Sequence, residues 1–178
     1  MVEINKQARL SQHFTLGEMC KTSAKTADGN IPSHVHIENL KRLCGWLERL
    51  RQRQNQMRNE RNEGNDRNER NGNEEMRNGS LPEVPIIINS AYRSPQVNKA
   101  VGGAPNSNHL TGCAVDIRCL GIEQALRYAT TLLDISDESK EDFDELLLER
   151  SPKGSYWLHF AVRPPSQENR RKVAFLRA

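Results

Sequence analysis

The chain has no long apolar run. Its longest unbroken aliphatic stretches, such as Ile86-Ile87-Ile88, are three residues long, against the roughly twenty that a membrane-spanning helix needs, so no span is expected. The first residues, MVEINKQARLSQHF, hold neither a seven-residue apolar core nor a small-residue cleavage site, and no secretory signal can be read there. Cysteine is scarce. Cys20, Cys44, Cys113 and Cys119 include no CxxC pair of the kind that marks a zinc knuckle or a redox centre; free buried thiols fit this spacing, with disulfides as the alternative. An excess of one charge is also missing: the net charge is +3 over 178 residues, which defines no strongly basic domain, so nucleic acid is not the default partner. Apolar residues are themselves few, 35% against 28% charged, which implies that part of the length enters no core.

That part is residues 51–80. The tract holds eight Asn, seven Arg, six acids and three Gly, with no branched aliphatic or aromatic residue, and its charge balances to +1. Its Arg-Asn-Glu triplets offer side-chain pairs that would prolong a preceding helix, but the Asn and Gly content opposes one. A solvated low-complexity insertion is expected. The competing reading is an arm for acidic polymers such as teichoic acid or RNA. The remaining length, residues 1–50 and 81–178, suits one domain.

Before the tract, Ile37, Leu40, Leu43, Cys44, Leu47 and Leu50 recur at helical steps, with Ser33 placed to cap the start. After it, Pro85 to Ala91 reads as a short buried strand, and Ser94-Pro95 opens a helix to about Val101. Residues 102–108, rich in Gly, Pro and Asn, form a loop. In Cys113 to Cys119 the apolar residues alternate with Ala114, Asp116 and Arg118, which turns Asp116 away from the apolar side. Gly121 to Leu133 has the period of a second amphipathic helix. Phe143 to Glu149 and Tyr156 to Val162 read as a hairpin turning around Ser151 to Gly154. The order predicts a single α+β domain, with a small, largely antiparallel sheet backed by helices.

Of the five histidines, His13, His34 and His36 lack nearby ligand-type partners in the sequence, whereas His109 sits in the polar loop and His159 on a strand face shared with Trp157. If His109, Asp116 and His159 meet, two imidazoles and a carboxylate make an open three-donor set that suits Zn²⁺ and amide hydrolysis. Spacing alone does not separate such a site from a chance pairing of His and Asp.

The stretch Ser90-Ala-Tyr-Arg93-Ser-Pro95-Gln-Val-Asn98, followed by Ser107-Asn-His109-Leu-Thr-Gly112-Cys-Ala114-Val-Asp116 and the later Trp157-Leu-His159, resembles the zinc D-Ala-D-Ala carboxypeptidases and related peptidoglycan endopeptidases, most of all their small phage and bacterial branch. Phe143-Asp144-Glu145-Leu146 is similar to that branch's Phe-Asp-Gln-Leu, and the likeness extends to Phe14–Met19. The resemblance implies that His109, Asp116 and His159 hold zinc and that the substrate is a peptidoglycan stem peptide. It also implies that Arg93 projects into the cleft to hold a substrate carboxylate or a developing oxyanion, the plainer reading being a surface arginine at a strand end. Several better-known members carry Glu three residues before the last His; here that residue is Tyr156, on the opposite strand face.

The base is therefore sought on the hairpin partner. Glu149 is the candidate, Glu145 sharing its face but lying further from the turn, and an exposed charge pairing with Arg150 or Lys153 is the alternative for Glu149. An inactive zinc-binding module of the cell wall is the competing function. A wall substrate without a visible export signal fits a phage-type lysin, made in the cytoplasm and released when the host membrane is permeabilised.

Overall fold

The computed structural model describes residues 5–68 and 82–177. A five-stranded sheet carries the fold: β1 (Ile88–Ser90), β2 (Ala114–Cys119), β3 (Glu145–Arg150), β4 (Tyr156–Ala161) and β5 (Lys172–Arg177). The strands lie in the order β1-β2-β4-β3-β5. Every neighbouring pair is antiparallel except β3 and β5, which run parallel. The helices are α1 (Leu16–Met19), α2 (His34–Asn68), α3 (Pro95–Ala100) and α4 (Ile122–Ser139), with a 3-10 turn at Asn108–Thr111. The α+β architecture agrees with the sequence reading. None of the described helices is long and apolar enough to cross a membrane.

Strand alternation decides which face is covered. Val115 and Ile117 of β2, Leu158 and Phe160 of β4 and Leu146 of β3 are buried in one apolar cluster with Leu40, Leu43, Leu47 and Leu50 of α2 and Leu132 and Ile135 of α4. All four cysteines are buried free thiols. The opposite face carries Asp116, His159, Glu145 and Glu149, and meets the 3-10 turn through His109 and Asn108.

The 51–80 tract corrects the expectation in part. Rather than leaving the helix at Leu50, the chain stays helical to Asn68. The apolar stripe does end at Leu50, but the polar residues around and beyond it find tertiary partners. Arg49 pairs with Glu141 at 2.6 Å, Arg53 with Glu138, and Gln54 Nε2 donates to Thr131 Oγ1 at 2.7 Å. On another side Asn55 exchanges hydrogen bonds with both backbone groups of Val84, and Arg51 pairs with Glu83 at 2.8 Å. Such contacts override a weak intrinsic propensity. Residues 69–80 of the tract lie outside the described residues.

The first strand is shorter than the Pro85–Ala91 segment read from the sequence. Only Ile88–Ser90 pairs with β2, through an irregular register. Strand β5 follows no period-two pattern and was not indicated by the sequence; its pairing to β3, a strand some 27 residues away, is what defines it.

Gly112 closes the 3-10 turn with φ at +70°, and a Cβ there would stand 2.7 Å from the carbonyl oxygen of His36 in α2. Both the left-handed conformation and the contact penalise any side chain. Gly112→Ala is expected to lower stability by about 3 kcal/mol, read as a shifted urea midpoint. An unchanged midpoint would mean that the turn does not need this conformation.

Candidate metal centre

His109 is set by local structure. The Ser107 hydroxyl accepts its backbone N–H at 3.3 Å, and the His109 carbonyl accepts the backbone N–H of Arg93 at 3.1 Å, which stitches the turn to the end of β1. The ring is 2% exposed. Its Nδ1 lies 2.6 Å from the carbonyl oxygen of Ala91, an acceptor only, so Nδ1 carries the proton and the lone pair is on Nε2.

Asp116 and His159 are directly opposed across β2 and β4. One carboxylate oxygen of Asp116, Oδ1, stands 3.2 Å from His109 Nε2 and 2.9 Å from His159 Nδ1. The donor atoms of all three residues lie within 4.8 Å of one another. A tetrahedral ion with bonds of about 2.0–2.1 Å sets its ligands roughly 3.3 Å apart, so the donors stand close to the spacing an ion requires. Among the described residues this is the one cluster of three or more such side chains able to hold a metal.

Burial lowers the His109 pKa and keeps that ring neutral. Burial alone would raise Asp116, but His109 and His159 together hold it well below the usual carboxylate range. Burial would likewise lower His159, yet Asp116, Glu145 and Glu149 outweigh it and push the imidazole up to about 9. This cluster gathers negative charge around His159, which favours a cation at the site.

Arg93 does not stand free in a cleft. Its Nη2 donates to Asp116 Oδ2, the oxygen turned away from the histidines, while its Nε donates to Ser90 Oγ at 2.8 Å. The guanidinium therefore holds the Asp116 carboxylate from behind.

The two glutamates of β3 flank the His159 rung. Glu145 is fully engaged: Oε2 stands 3.6 Å from His159 Nε2 and accepts from Asn108 Nδ2 at 3.1 Å, while Oε1 faces Arg170 at 3.1 Å and Lys172 at 3.2 Å. The contact with His159 leads these partners in bringing its pKa down to about 2. Glu149 pairs across the sheet with half-buried Trp157. No hydrogen bond or ion pair to its carboxylate occurs among the described residues, so the surface pairing with Arg150 or Lys153 is not seen. Burial raises its pKa, and the charges of His159, Asp116 and Arg93 act on it. Tyr156 packs against the apolar core on the other face.

The sequence missed Asn108, whose side-chain amide joins Glu145 to buried Asp144; its place inside the Ser-Asn-His triplet was the available signal. It also missed that His13 has a carboxylate partner, Glu48, at 2.7 Å, because the two are 35 residues apart. That pair ties the N-terminal segment to α2.

Asp144 supports the site from below, held by Arg163 at 2.8 Å and Arg170 at 2.7 Å. Burial by itself would raise its pKa, but the hydrogen bonds from Arg170, Asn108 and Arg163 bring it down to about 2. A depressed folded-state pKa contributes stability above the unfolded value near 4, and that stability is lost as pH falls toward 2. Asp144→Asn is therefore expected to be less stable than wild type at pH 6, with the difference shrinking as pH falls from 4 to 2. Urea unfolding over that pH series checks it; a constant difference would show that the charge is not what stabilises.

A mostly antiparallel sheet here presents a buried His-Asp-His set able to hold a metal ion. A family model described as Peptidase M15 matches residues 68–139, the stretch that carries Arg93, His109 and Asp116. Over that stretch the chain is similar to the Peptidase M15 family. His159 lies beyond the matched stretch and is brought to the cluster by the β2–β4 pairing. No curated protein matches the chain.

Proposed function

We propose that the chain is a zinc-dependent metallopeptidase that hydrolyses amide bonds in the stem peptides of bacterial peptidoglycan, as a carboxypeptidase or endopeptidase in wall lysis or remodelling. The observation that carries the reading is the convergence of His109 Nε2, Asp116 Oδ1 and His159 Nδ1. One carboxylate and two imidazoles suit zinc and leave a position open to substrate, where the ion supplies Lewis acidity for water activation and carbonyl polarisation.

Glu149 is the general base. It has no partner among the described residues, its pKa is raised by burial, and it stands on the site face two residues along β3 from Leu147, which faces His159. It takes a proton as water attacks the scissile carbonyl carbon, and returns one to the leaving amine as the C–N bond breaks. Glu145, already committed to four partners, is unsuited to that work. Arg93 keeps Asp116 oriented by holding its second carboxylate oxygen. The catalytic unit draws on both sides of the 51–80 tract, residues 1–50 supplying the core helix and 81–178 the site.

The test is digestion of purified sacculi and of D-Ala-D-Ala peptides by the zinc-loaded protein, with and without chelator. Release of stem-peptide fragments or free alanine, abolished by chelation, is the expected result. No cleavage at any zinc loading would reject the enzymatic reading and leave a wall-binding module.

A further inference from the structure

The two nitrogens of an imidazole point in divergent directions, and each ligating histidine in proteins is commonly fixed by an acceptor on the nitrogen that does not bind metal. His109 has such an acceptor in the Ala91 carbonyl. His159 has Asp116 at its Nδ1 and, on the far side of the ring, the Glu145 carboxylate 3.6 Å from Nε2. Glu145 cannot reach an ion held at Nδ1 from there. It is itself immobilised: Asn108, which adjoins His109 in the chain, grips one oxygen, while Arg170 and Lys172, leading into β5, grip the other.

We infer that Glu145 is a positioning residue for the metal centre, accepting the Nε2 proton of His159 and thereby fixing Nδ1 as the ligating atom. The C-terminal strand then has a function beyond packing, since Lys172 of β5 and the adjoining Arg170 hold the group that orients a ligand on β4. The inference rests on the reading of His109, Asp116 and His159 as zinc ligands.

The test needs no catalytic assay. Zinc affinity of the full chain is measured by competition with a chromophoric chelator, for wild type, Glu145→Gln and Glu145→Ala. Nitrogen-15 NMR of the histidines in zinc-loaded wild type reports which ring nitrogen carries the proton. Wild type is expected to show His159 protonated at Nε2 and bound through Nδ1. Glu145→Ala is expected to bind zinc about 10- to 100-fold more weakly, the usual effect of losing an orienting partner. Glu145→Gln, which keeps an acceptor oxygen, is expected to lose less than about a third of that effect on a logarithmic scale.

Zinc bound by wild type through His159 Nε2 would overturn the inference, and this readout stands even if a variant fails to fold. So would wild-type affinity in Glu145→Ala, or an equal loss in Gln and Ala. Absence of zinc binding in wild type would instead remove the metal reading, and this inference with it.

Discussion

Glu149→Gln is expected to keep its metal and lose about 10² to 10⁴ in kcat, the usual worth of a general base. The amide is nearly isosteric with the carboxylate, and no donor of the His109, Asp116 and His159 set is touched, so elemental analysis should find the wild-type zinc content. The size of the effect follows from the environment. Glu149 stands beside His159 and Asp116 without a partner of its own, and burial raises its pKa toward the working range of a base. Glu145, on the same face, is held near a pKa of about 2 by His159, Lys172 and Arg170, which makes it a poor proton acceptor at neutral pH. Equal turnover by wild type and Glu149→Gln would sink the assignment. Loss of zinc from the variant would show that Glu149 ligates or supports the ion, and the site would need redrawing.

The second large effect is on occupancy. His159→Ala removes one of three protein donors. Apparent zinc-binding free energies of about 10–16 kcal/mol for four-donor sites imply about 3 kcal/mol per donor, or roughly 200-fold in affinity. Zinc content should drop from about one ion per chain to a small fraction after gel filtration without added metal, and peptide cleavage should drop with it. The fold should survive, because Asp116 keeps the Arg93 guanidinium and His109 keeps the Ala91 carbonyl. A His159→Ala protein with full zinc content would show that the ion sits elsewhere.

What could be read from the residues depended on how local the cause was. The period of Leu40 to Leu50, the alternation of Cys113 to Cys119 and the Ser94-Pro95 start are consequences of neighbours in sequence, and each element formed where its pattern placed it. The convergence of His109, Asp116 and His159 was also legible, since these residues stand at fixed positions in motifs that resemble a known family. The helical residues 51–68 were not, because their helix depends on Glu138 and Thr131 of α4 and on Glu83 and Val84. The engagement of Glu145 was hidden for the same reason: three of its four partners, His159, Arg170 and Lys172, come from beyond the hairpin turn. Period-two counting placed Glu145 and Glu149 on one face without showing that the first is occupied and the second free.

The pairing of Asp116 with His159 joins residues 43 apart in the chain, and the loop so closed contains the whole of α4 and β3. A nascent or partly unfolded chain can bring His109 to Asp116, seven residues away, but has no third donor until β4 has docked between β2 and β3. Tight ion capture is thereby reserved for the assembled sheet. Under the proposed zinc reading, mass action would tie the persistence of the native state to free zinc, contributing about 2.7 kcal/mol when zinc stands at a hundred times its dissociation constant. Metal supply would then act as a brake on unfolding, gripping a strand junction that only a long-range contact closes.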